Sequence, residues 1–402
     1  MAEFDYSSLR SAYEGFTFPL VQVIVEGEVL SGEEVNMAVT RVEVELTSGY
    51  EASIATIELA GAFDPDVGRF NLSKDRLKFI YMGSMVQIAM GYGANAREIF
   101  RGFVARVHFL IPESESEDVP RIEVTALDVK GLMMANRHSK RLNSKNFSDA
   151  VKEVLRANPF VTLKDAKNKD FMEMVVHDTP DKNAAGGGGA GGAGGAGGGG
   201  GGQEATTDKR VEMVEESDYE FVVKAAKKYN FEFFIIGKII YFVEAKSNDN
   251  VLINLTPECT FHNLDVGYDI TGLVKSVEVR NVDMEQGKYV GTKKKLNSKI
   301  SLGNKAKPLI ENQSLVYLDP TADSKEEAGY RADYLLNSVD YRLGSIQAVI
   351  IGMPEIVPGR FITLSGFGSP IDNTFYVTSV KHILDGGSYR TEIEGCANSI
   401  SK

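Results

Sequence analysis

Hydrophobic residues recur at every second position along most of this chain, and that rhythm leaves few architectures open to it. Val42, Val44 and Leu46 alternate with Arg41, Glu43, Glu45 and Thr47, as in a strand with one buried face. Val21, Val23 and Val25 do the same before a Glu26-Gly27-Glu28 turn. Ala55, Ile57 and Leu59 continue the pattern, then Val86, Ile88 and Met90, Phe100 to Phe109, and Ile122 to Ala126. An acidic loop, Glu113 to Asp118, separates the last two. Six or more short strands with turns between them predict a small antiparallel barrel or sandwich over residues 17–137, after an N-terminal extension, 1–16.

The middle of the chain, residues 138–250, reads as a separate α/β insert. Ser148 opens a predicted helix through Val151, Val154 and Leu155, which closes before Pro159. Ser217-Asp218-Tyr219-Glu220 is a capping box at the head of a second helix. Phe231 to Ile236, Gly237-Lys238, and Ile239 to Val243 predict a tight hairpin. Strands return over residues 251–402: Leu273 to Arg280, Lys299 to Leu302, Ile346 to Ile351, Phe361 to Leu364, Phe375 to Leu384 and Tyr389 to Glu394. A long helix over 324–343 interrupts them, with Gly344 as its expected C′ residue.

The two β-rich parts echo each other. Val86 to Gly93 and Phe361 to Gly368 are both strands ending in Gly-aromatic-Gly. Each leads into a long strand carrying a His, His108 or His382, and then a shorter closing strand. The predicted fold is therefore mainly β: two similar antiparallel barrels flanking an α/β middle domain. Two like barrels per chain, set around a three-fold axis, would give a trimeric ring of six near-equivalent units.

Composition narrows the function. The net charge is −12, which argues against binding nucleic acid by phosphate neutralisation. No apolar run reaches the length of a membrane span, and no basic-then-apolar start marks a secretory signal. Cys259 and Cys396 sit in no CxxC pair, which fits a reducing compartment while leaving their pairing open. Residues 184–202 are Gly and Ala alone. They read either as a flexible linker or as stand-ins for residues of unassigned identity. The second is preferred, since a natural linker usually carries Ser, Thr, Pro or charge.

Motifs for chemistry are absent. His108, His138, His177, His262 and His382 show no metal-ligand spacing. No nucleophile elbow or phosphate loop occurs, and Gly91-Tyr92-Gly93 reads as a strand-terminal turn. Lys293-Lys294-Lys295 is expected at a solvated loop tip. The chain is expected not to be an enzyme, with no catalytic, cofactor-binding or metal residues and no cofactor.

Three segments carry a family resemblance. The first is Glu216-Ser217-Asp218-Tyr219-Glu220-Phe221-Val222-Val223-Lys224-Ala225-Ala226 with the hairpin after it. The second is the helix Lys325 to Leu343 leading into Gly352-Met353-Pro354-Glu355-Ile356-Val357-Pro358-Gly359. The third is Tyr376 to His382 with Tyr389-Arg390-Thr391. Over about residues 17–398, the Gly/Ala tract aside, the chain resembles the baseplate hub proteins of contractile phage tails and tailocins. These comprise late control gene D proteins, Mu-type tail hubs and the head of VgrG. Val222-Val223 stands where that family usually has Leu, and Asn230 where it often has Gly.

The resemblance implies a homotrimeric structural hub, the first barrel docking a hexameric tail tube and the whole ring joining that tube to a trimeric spike. It implies other baseplate proteins as partners, no membrane, and DNA or cargo passing an acidic lumen without specific binding. It places assembly in the bacterial cytoplasm and the product in a virion or tailocin baseplate. The chain stops at Lys402, straight after the second barrel, which implies a spike made as a separate protein. Two alternatives accompany this reading: a VgrG-like head of a type VI secretion or related injection system, and a tail-associated peptidoglycan-binding or -degrading protein.

Overall fold

The computed structural model describes residues 2–30, 37–113, 119–164, 168–179, 210–283, 288–295, 303–322 and 324–401. The Gly/Ala tract, the strand expected at Lys299–Leu302 and residues 114–118 of the acidic loop lie outside them.

The alternating segments become strands of one large, mainly antiparallel sheet. Six come from the first part of the chain: β1 (Pro19–Val25), β2 (Ala38–Thr47), β3 (Ile54–Ala60), β4 (Met85–Tyr92), β5 (Asn95–Leu110) and β6 (Arg121–Leu127). Six come from the last part: β7 (Val251–Leu255), β8 (Phe261–Tyr268), β9 (Gly344–Ile351), β10 (Phe361–Leu364), β11 (Thr374–Asp385) and β12 (Ser388–Ala397). Their order is the same in both sets. In the first module it is β1-β4-β5-β6-β3-β2, and in the second β7-β10-β11-β12-β9-β8. A short strand, Glu28–Val29, adds to β1.

The two predicted barrels are thus not separate bodies. β2 pairs antiparallel with β11, so a single 13-stranded sheet runs through both modules. One buried apolar cluster spans them, from Val42, Val44 and Leu46 to Val380, Leu384 and Ile393. One direction differs: β1 meets β4 antiparallel, whereas β7 meets β10 parallel.

The short α1 (Tyr6–Ala12) packs by its Leu9 on this core. The insert packs around a second cluster, built from α2 (Phe147–Ala157), α3 (Asp218–Tyr229) and the hairpin Phe231–Ile236 with Ile239–Glu244, which also takes in Phe103, Val129 and Met133 of the first part. The predicted hairpin forms as expected. Helix α2 starts earlier than the sequence implied, because Asn146 rather than Ser148 caps it, its side chain accepting from the Asp149 N–H. The capping box is present at α3: Ser217 accepts from the Glu220 N–H at 3.0 Å, and the Ser217 N–H donates to Glu220 Oε2 at 2.8 Å. Asn230 closes α3 at φ 58°, a left-handed position that Asn tolerates almost as Gly does. Replacing Ser217 with Ala should cost about 1 kcal/mol, read as a lower urea midpoint; an unchanged midpoint would mean that the cap adds nothing to the packed insert.

A third cluster lies between β8 and β9. There α4 (Lys325–Asp340) packs Ala328, Ala332, Leu336 and Val339 on Val277 and Val279. This helix ends at Asp340, and Gly344 begins β9 instead of serving as its C′ residue. A side chain at Gly344 would press on Ala397 at 3.0 Å and the Tyr268 ring at 3.1 Å, so close strand packing explains that glycine. The strand expected from Leu273 runs from Ser276 to Asp283. The Lys293–Lys295 cluster is not at a loop tip. It ends a strand, Lys288–Lys295, paired with Ser276–Asp283, and Lys294 reaches Asp333 of α4 at 3.1 Å.

Candidate assembly surface

The likeness of the two modules extends to their irregularities. β5 slips its register on β6 between Val104 and Arg106, and β11 slips on β12 between Val377 and Ser379. β2 slips on β3 between Val39 and Arg41, and β8 slips on β9 between Phe261 and Asn263. A β-bulge bends and twists its strand locally, so matching bulges give both sheets matching curvature. Aligning on them sets Arg106 against Ser379, and Arg41 against Asn263.

Where the modules join, the pairs run from Ser379 opposite Thr47 to Asp385 opposite Arg41. The inward pairs, Val380 with Leu46, His382 with Val44 and Leu384 with Val42, are all buried. The outward pairs carry charge. Lys381 reaches Glu43 at 2.9 Å and Glu45 at 3.6 Å, and Arg41 reaches Asp385 at 3.4 Å.

His382 is the one ionisable group facing inward along this seam. Its Nε2–H donates to the Ile356 carbonyl at 3.1 Å, which leaves Nδ1 to accept from the Tyr389 hydroxyl at 3.0 Å. Thr391 Oγ1 lies 3.2 Å from the same Nδ1 and accepts from the Met353 N–H at 2.9 Å. Complete burial lowers the His382 pKa to about 4, because the charged ring would lose its water. Tyr92 donates to the Gly352 carbonyl at 2.9 Å, and Tyr13 to Glu355 at 2.5 Å. These bonds fix the 352–359 turn on both modules.

The insert is clamped to both modules. From the first, Tyr50 donates to the Phe231 carbonyl at 3.2 Å. Lys130, fully buried, donates to the Gly49 and Glu51 carbonyls at 3.1 and 2.7 Å and lies 5.5 Å from the Phe233 ring centre. Asp128 accepts from the Ser53 and Lys130 N–H groups, each at 2.9 Å. Burial pushes the Asp128 carboxyl up and the Lys130 ammonium down, each opposed by the other's charge. From the second module, Tyr376 donates to Glu232 at 2.5 Å. Lys246 pairs with Glu232 at 3.2 Å over the rings of Tyr341 and Tyr376.

A cleft of about 980 Å³ opens between β5, the insert hairpin and the 357–360 turn. Its charges are largely matched already: Arg101 to Glu98 at 2.6 Å, Lys246 to Glu232, Lys238 to Glu173, and Arg360 to Glu3 at 2.5 Å. Such pairing gives the cleft no net pull on an ion.

The sequence-flagged residues scatter. His108 and His262 are exposed on β5 and β8, and His138 lies 3.3 Å from Asp218. His177 accepts from the Glu244 N–H at 3.4 Å, while His382 alone enters the core. Among the described residues no three His, Cys, Asp or Glu side chains gather as a metal site would need. Cys259 and Cys396 are both free thiols, the first buried and the second half-buried. Gly91 lies within β4 opposite Ala96, just before the turn, where a side chain would fall 1.9 Å from the Asn95 carbonyl oxygen. Sequence reasoning missed Lys130 and the Glu232–Lys246–Tyr376 cluster, whose members lie up to 144 residues apart in the chain.

Residues 17–182 match one family profile, described as the Alg8 N-terminal domain. No curated protein matches the sequence. Among solved structures the fold is similar to a tail protein from Neisseria meningitidis MC58, 11% identical, with a TM-score of 0.59, covering 95% of this chain and 97% of that one. It is similar to the 43 kDa tail protein of prophage MuSo2 from Shewanella oneidensis, at 9% identity and a TM-score of 0.63, covering 94% and 98%. It is also similar to a chain of the half-lidded Francisella PdpA–VgrG complex, at 10% identity and a TM-score of 0.50, covering 98% of this chain and 61% of that one. The fold is that of phage tail and VgrG-type proteins.

Proposed function

We propose that this chain is the structural hub of a contractile tail baseplate. It works as a homotrimer with pseudo-six-fold symmetry that joins a hexameric tail tube to a trimeric spike. The observation that carries the reading is the duplication: two six-stranded modules of one strand order, sharing matched bulges and one sheet. Three such chains around an axis present six like units on one side and a three-fold frame on the other. The tail-protein folds support it.

The mechanism is symmetry matching, with no bond made or broken. We read residues 17–137 and 251–402 as the ring-forming parts and 138–250 as the insert that braces them. Other baseplate proteins dock around the ring, and the lumen passes DNA or cargo without specific binding. Assembly takes place in the bacterial cytoplasm and the finished part sits in a virion or tailocin tail.

The VgrG-like head of an injection system is the second reading, favoured by the likeness to the Francisella complex. A peptidoglycan-binding or -degrading role would rest on carboxylate-rich loops such as Glu113–Asp118, of which residues 114–118 lie outside the described ones.

Negative-stain electron microscopy of the purified chain, alone and with tube and spike proteins, tests the hub. Three-fold rings with six lobes and a central hole are the expected result. Single compact particles in every mixture would overturn it.

A further inference from the structure

Each module has a strand edge that its twin uses and it does not. In the second module, β11 gives its first half to β10 and its second half, Ser379 to Asp385, to β2. In the first module, β5 likewise gives its first half to β4. Beyond the bulge, residues 106–110 pair with β6 on one side. Among the described residues no backbone hydrogen bond reaches them from the other side. β8 is the twin of β2, and among the described residues it ends the sheet, paired with β9 alone.

We infer that β5 of one copy pairs antiparallel with β8 of the next, repeating between chains the join that β11 and β2 make within one. The matched bulges fix the register. Carrying Ser379–Thr47 onto the twin strands puts Arg106 opposite Asp269, Val107 opposite Tyr268, Phe109 opposite Val266 and Ile111 opposite Leu264. The register was set by the bulges alone, yet every inward position then pairs apolar with apolar. Its first outward position pairs a cation with an anion.

Burial agrees with a missing partner. Phe109 is 47% exposed and Ile111 59%, whereas their twins His382 and Leu384 are 0% and 8% exposed. Leu264, Val266 and Tyr268 are half-buried, where their twins Val42, Val44 and Leu46 are buried. A long apolar edge with unpaired N–H and C=O groups is a template for another strand. The two edges differ from each other, so copies join head to tail, and such contacts close into a ring when the rotation allows. This inference rests on the ring reading and names the surface that makes it.

The test is oxidative cross-linking of the full chain carrying Phe109→Cys and Val266→Cys, beside a control with Phe109→Cys and Leu264→Cys. Directly opposite residues in an antiparallel pair lie within disulfide reach, whereas partners two residues off do not. Covalent dimers and trimers at least about five-fold above the control are the expected result. Trimeric particles that give no such excess would overturn the strand pairing and leave the trimer standing. A chain that stays monomeric with tube and spike present would overturn both. Exchange of Arg106→Asp with Asp269→Arg gives a second measurement: each change alone should weaken the trimer, and the pair should restore it. Equal weakening by singles and pair would count against the register.

Discussion

Lys130→Met should lower the stability of the chain by about 3 kcal/mol, the largest effect expected of any single substitution considered. Met keeps the stem packed on Phe233 and removes the ammonium that donates to two part-buried carbonyls, those of Gly49 and Glu51. Part-buried acceptors stripped of their donor cost little, about 1 kcal/mol, and the larger cost falls on the buried charge partner. Asp128 also loses the opposite charge that opposes its desolvation. Taking a lysine out of a dry site relieves a cost of its own, which holds the net loss near the stated figure. The measurement is the urea midpoint at constant slope. A loss under about 1 kcal/mol would show that water reaches the 49–51 turn once the ammonium is gone.

His382 gives the second large effect, and it depends on pH. The folded pKa of about 4 lies below the ordinary 6.5. Between those values the unfolded chain binds a proton that the folded chain refuses, so stability rises with pH through that window. Acidification from above 6.5 to below 4 should therefore remove about 3 kcal/mol, after which the loss through this group levels off. His382→Gln, whose amide nitrogen comes near the Nε2 position, keeps a donor for the Ile356 carbonyl and has no proton to gain. Its urea midpoint should fall less steeply between pH 6.5 and 4.5 than that of the unaltered chain. Equal slopes would sink the argument.

Much of the fold was legible because strand alternation is local. Val42, Val44 and Leu46 point one way by period alone, and the Ser217 box announces α3 within four residues. The tie between the modules was not legible. The Ser379–Thr47 pairing spans over three hundred residues, and nothing local distinguishes a strand that closes its own barrel from one that meets its twin. β7 and β8 went unread because Leu255 leads into Pro257, and the β8 alternation is broken by the His262 bulge. The triple lysine misled for a similar reason. Charge on a short run signals solvent, and one exposed face of a paired strand meets that description as well as a loop does. The visible echo of Gly-aromatic-Gly did point to duplication, although the register it suggested was refined only by the bulges.

One strand breaks the equivalence of the modules, since β1 runs antiparallel to its neighbour and β7 parallel. In a closed ring this has a consequence for valence. A protein reading only the backbone of the strands that correspond would meet six near-equivalent seats. A protein reaching out to β1 and β7 meets two kinds of seat in alternation and can count only to three. The same ring would then be hexavalent to one visitor and trivalent to another, with the polarity of a single strand as the switch between the two counts.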